Sequence, residues 1–108
     1  MDSRDPACAA ARAIAAAVRA VPGVIDLTGG PGGATATYGA GERVVGVVLR
    51  PAGNRWRGGA CIVIGAVALR ETAARVQQEA MAAAAAAGIP LDRFDVYIED
   101  VLTEPERR

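Results

Sequence analysis

Alanine makes up most of the two helical stripes in this chain. Ala7, Ala10, Ile14, Ala17, Val18 and Val21 fall on one face at helical spacing, with Arg12 and Arg19 opposite. Leu69, Ala73, Val76, Ala80, Ala83 and Ala87 repeat the pattern, with Arg70, Gln77, Gln78 and Met81 turned outward. Stripes this small bury useful area only if the helices lie very close to what they cover. Little else supplies bulk: the 108 residues include one Phe, one Trp and two Tyr. The core is therefore expected to be thin, closely spaced and aliphatic.

Start and stop signals bound both helices. Asp5 can cap the first, Pro6 suits its first turn, and Pro22-Gly23 ends it. The second is expected from Arg70 to Ala87, supported by the Glu71–Arg75 pair and closed by Gly88, Ile89 and Pro90. Strand signals lie between and after them. "VIDL" (Val24–Leu27) is short, and "RVVGVVLR" (Arg43–Arg50) and "ACIVIGAVAL" (Ala60–Leu69) are β-branched. With "PAGNRWRGG" read as turn chemistry, those two form an antiparallel hairpin with a long loop. Gly46 and Gly65 mark bulges or close approaches. "FDVYIEDVL" alternates as a half-buried strand, Phe94, Val96 and Ile98 on one face and Asp95, Tyr97 and Glu99 on the other. The order predicts a single α+β domain over residues 1–108, a two-layer sandwich. Its two main helices cover one face of a mostly antiparallel sheet of three or four strands.

Charge sets limits on partners. The net charge is zero, which gives no global drive toward nucleic acid or anionic lipid. All twelve basic residues are Arg. They concentrate between Gly41 and Arg75, a local +4, while residues 76–106 carry a local −6. Cys8 and Cys61 make no disulfide framework and read as small buried hydrophobes. The N-terminus, with Asp2, Asp5 and Arg12, is a poor signal peptide. The apolar run from Gly58 to Leu69 is too short to span a bilayer. A cytoplasmic protein is expected, with any membrane link supplied by a partner rather than by direct insertion.

Three features invite chemistry. "LTGGPGGATATYGAG" (Leu27–Gly41) lacks the Lys of a phosphate loop, the following helix of a dinucleotide fingerprint and the basic surroundings of an RNA clamp. It reads as a connector over residues 28–42. "RWR" (Arg55, Trp56, Arg57), on the expected hairpin loop, is the candidate partner contact. Its Trp can anchor a protein, stack on a base or sit at a lipid interface; the competing reading folds Trp56 back over the sheet edge between solvated arginines. Asp95, Glu99 and Asp100 have no His to complete a usual ligand set, and read as a solvated edge that discourages strand addition. Catalytic, cofactor-binding and metal-binding residues are therefore expected to be none, and the protein is not expected to be an enzyme.

The order of these signals resembles the alkaline shock protein family of bacterial envelope stress-response proteins. The likeness runs over roughly residues 6–102 and is carried by "VPGV" (Val21–Val24), the glycine-rich stretch, "VVGVVL", "CIVIGAVAL", the helix "LRETAARVQQEAMAAAAAAG" and "FDVYIEDV". The resemblance implies a non-enzymatic cytoplasmic protein of cell envelope homeostasis, collected at the inner face of the membrane. It further implies self-association and recruitment by an integral membrane anchoring protein or a family paralogue. The alternative is a small RNA-binding α+β domain that uses the Arg-Trp-Arg loop. An enzyme or small-ligand carrier is the weakest reading, with His and Lys both absent.

Overall fold

Pro6 opens the first helix, α1 (Pro6–Arg19), whose buried stripe is Cys8, Ala10, Ala11, Ile14, Ala15 and Val18. The computed structural model describes residues 6–39 and 41–102, so the expected cap Asp5 lies outside the described residues. After the turn at Pro22-Gly23 comes β1 (Val24–Leu27), then a single 3-10 turn at Pro31–Gly33. A small hairpin follows, β2 (Ala36–Gly39) with β3 (Glu42–Val45). The main sheet is completed by β4 (Val47–Ala52), β5 (Arg55–Gly65) and β6 (Leu91–Leu102), with α2 (Leu69–Ala86) between the last two.

Strand β5 organises the sheet. One side of it pairs antiparallel with β4 through its first half and with β1 near its end, and β6 runs parallel along it from Trp56 to Gly65. The α+β fold predicted from sequence is the fold observed, with this parallel pair as the refinement. Parallel neighbours need a crossover connection, and α2 is that connection.

Three boundaries differ from the sequence reading. The expected strand Arg43–Arg50 breaks at Gly46, whose φ is +94°. Its N–H donates to the Thr35 carbonyl, 2.8 Å, and its carbonyl accepts from Cys61 N–H, 3.0 Å. A Cβ there would sit 2.6 Å from Leu27 Cβ, closer than any side chain tolerates. β3 and β4 therefore leave in different sheets. The long hairpin loop is instead the two residues Gly53-Asn54, since Ala52 already pairs with Arg55. That places Arg55, Trp56 and Arg57 in a strand rather than a loop. The glycine-rich stretch, read as a plain connector, contains the 3-10 turn and all of β2.

The core lies between the sheet and the two helices. Phe94, Ile14, Ile62, Ile64, Val18, Val47 and Val76 are its largest fully buried side chains. The α2 stripe is Thr72, Val76, Ala80 and Ala84: Val76 and Ala80 lie where expected, while Thr72 and Ala84 replace the expected Ala73 and Ala83. Leu69 remains 44% exposed as a result. The expected stop at Gly88 forms as a Schellman end. Gly88 N–H donates to Ala85 and Ile89 N–H to Ala84, and Ile89 is buried.

Candidate interaction face

The helices cover only one face of the main sheet. In β5 the even-numbered Ala60, Ile62 and Ile64 point to them and are fully buried. The odd-numbered residues point the other way, because strand side chains alternate. The packing space around the adjacent glycines confirms the split: Gly58 faces Leu49, Phe94 and Leu91, whereas Gly59 faces Val48, Tyr97 and the Asp95 carbonyl.

Two parts make up the uncovered face. Over the C-terminal half of β5 the glycine-rich stretch folds back as a cover. Thr28 N–H donates to the Cys61 carbonyl at 2.9 Å, and the Thr28 hydroxyl bonds the Glu99 carboxylate. Gly30 sits where a methyl would be 3.4 Å from Cys61 Sγ. Cys61 is buried under this cover, Cys8 is buried on the inner stripe of α1, and neither is in a disulfide. The first half of β5 is open. There a depression of about 240 Å³ is lined by Thr35, Val48, Arg50, Arg57, Gly59, Asp95 and Tyr97. Gly59 provides its floor, and Tyr97 stands at its side, 58% exposed.

Its electrostatics are unbalanced. Arg50 and Arg57 are direct cross-strand partners, an arrangement of like charges that weakens a sheet. Among the described residues neither is in an ion pair. The neighbouring acid Asp95 is engaged by Arg93 at 2.9 Å. That hydrogen bond, with the attraction of the carboxylate, raises the Arg93 guanidinium further above its ordinary value.

Of the candidate contact residues Arg55, Trp56 and Arg57, only Arg57 lines this depression; Asp95, read from the sequence as part of a solvated edge, lines it as well. Arg55 pairs with Asp92 of β6 at 2.8 Å. Trp56 is half-buried and packs against the core on the helix side. Arg50 and Tyr97 were missed as site residues. The signal for Arg50 was the Gly-Asn dipeptide, which sets a two-residue turn and with it the register that brings Arg50 opposite Arg57; Tyr97 joins them through the parallel pairing of β5 and β6, for which the sequence has no local signal.

No family model matches the chain, and no curated protein matches it either. Solved structures do. MamM V260R superposes with a TM-score of 0.50 at 16% identity, over 92% of this chain and 86% of that one. The two share a fold. Two further structures, MamM CTD H264E in zinc form 2 and MamM CTD H264E-E289H, reach TM-scores of 0.48 at 16% and 14% identity. They cover 94% and 91% of this chain and 89% and 96% of their own. Identity at this level speaks to architecture alone.

Among the described residues no three His, Cys, Asp or Glu side chains are grouped to hold a metal ion. No described helix is long and apolar enough to cross a membrane.

Proposed function

We propose that this protein is a non-enzymatic interaction module that self-associates and is held at the inner face of the membrane by an integral membrane protein. This is the role implied by the resemblance to the alkaline shock protein family, and envelope homeostasis is the process it would serve. The observation that carries the reading is the open sheet face where Arg50 and Arg57 stand opposite each other beside exposed Tyr97. Tyr and Arg are the residues that dominate binding energy at protein interfaces. Two unpaired guanidiniums side by side call for carboxylates from a second chain, which would turn a repulsion into two charge-assisted hydrogen bonds.

The test is cross-linking in cells followed by recovery of the membrane fraction. Wild-type protein is expected to cross-link to a membrane protein, and the Arg57→Glu, Tyr97→Ala double variant to lose most of that product while keeping its fold. Equal cross-linking by both, or no membrane product from either, would contradict recruitment through this face.

One observation favours a second reading, single-stranded RNA binding: an exposed aromatic next to two arginines on an open sheet. The residue that first suggested RNA, Trp56, faces the helices instead. If RNA were the ligand, Tyr97→Ala would abolish a salt-dependent affinity. Protein that shows no salt-dependent RNA binding removes this reading.

A further inference from the structure

Strand β6 is an edge. Among the described residues its partner is β5 alone, and its other side borders a groove of about 500 Å³ lined by Ala73, Ala74 and Gln77 of α2 and by Arg93–Tyr97. The Gln77 side-chain amide donates to the Phe94 carbonyl at 2.7 Å, supplying the donor that a neighbouring strand would supply. A strand residue directs its N–H and C=O to the same side, and the side alternates along the chain. Phe94 therefore faces the groove, and so do Val96 and Ile98, while Asp95 and Tyr97 face β5. Bulges at Asp92 and Glu99, where β6 gains a residue on β5, bound this regular stretch.

We infer that two copies pair along this stretch, β6 against β6 and antiparallel, about a two-fold axis at Val96. The inference rests on the self-association proposed above and names its seam. Charge sets the register. With the axis at Val96, Phe94 lies opposite Ile98 and Arg93 opposite Glu99, twice by symmetry; Arg93 would exchange its contact with Asp95, and Glu99 would share its carboxylate with Thr28, for an opposite charge across the strands, which stabilises a pair. Moving the axis to Tyr97 sets Asp95 against Glu99, and moving it to Asp95 sets that carboxylate against itself. An axis at Phe94 also pairs opposite charges, Arg93 with Asp95, but sets the bulge residue Asp92 against Val96 only two residues from the axis, whereas the Val96 axis meets the bulge residue Glu99 only at the ends of the paired stretch. The flank also permits approach. Neighbouring strands lie about 4.8 Å apart, and the helix beside the groove presents the small Ala73 and Ala74, with one flexible Gln to swing aside. The acids expected to discourage strand addition thus act selectively, admitting the partner whose Arg93 meets Glu99.

Residue-resolved amide exchange on the full chain, in dilute and concentrated samples, tests this seam alongside sedimentation. Concentration-dependent dimers in which the Phe94, Val96 and Ile98 amides gain at least tenfold protection, while Asp95 and Tyr97 are protected throughout, are the expected result. Arg93→Glu should weaken the dimer at least tenfold, and Arg93→Glu with Glu99→Arg should restore it. Dimers with no added protection at those three amides would overturn the seam and leave self-association standing. A monomer at every concentration would overturn both.

Discussion

Gly46 and Gly88 both carry positive φ, +94° and +86°, yet they hold very different positions. A side chain at Gly88 meets nothing within 4 Å, so Gly88→Ala adds only the strain of a left-handed backbone, about 1 kcal/mol. At Gly46 the same methyl is driven into Leu27 at 2.6 Å, against the neighbouring strand. Strain and overpacking combine there, and Gly46→Ala should destabilise by roughly 2–5 kcal/mol. Denaturant unfolding of the two variants checks the contrast; equal losses would mean that Gly46 is not the joint between the two sheets. The sequence showed a glycine inside a valine run, which reads as a bulge or a close approach within one strand rather than as the joint between two. It could not show that Leu27 closes the space, because that contact joins residues brought together only by the fold.

At the scale of elements, the helices were legible and the strand partners were less so. Alanine stripes, Pro6, and Gly88-Ile89-Pro90 act locally, so their meaning does not depend on the remainder of the chain. The alternation of Phe94, Val96 and Ile98 likewise identified β6 as a strand with one buried face. Which strand it joins depends on how α2 crosses the sheet, and a period of two is the same in parallel and antiparallel pairing. The Arg-Trp-Arg segment was misplaced for a nearer reason. Gly53-Asn54 is a sufficient turn by itself, and counting the residues after it as loop moved Trp56 from the core side of β5 to the surface. The candidate face was hidden in the sequence because its members, Arg50, Arg57 and Tyr97, sit on three strands and meet only through the hairpin register and the parallel pair.

Across the whole molecule, the two helices cover one face and leave the other face and the β6 edge uncovered. These surfaces differ in chemistry. The face offers two arginines that are in no ion pair among the described residues and a tyrosine, suited to an acidic segment of a partner. The edge offers backbone groups between Arg93 and Glu99, suited to a second copy of itself. A dimer joined at the edge would carry two faces on one continuous sheet, so that each membrane partner meets a bivalent surface and binds with greater avidity than one copy provides. Self-association is thus the step on which the functional account depends. Sedimentation of the full chain across a wide concentration range, at low and high salt, measures it most directly. A reversible monomer–dimer equilibrium that weakens at least severalfold as salt rises is the result expected, because the Arg93–Glu99 pairs are exposed and screened. A strict monomer at high concentration and low salt would contradict the account.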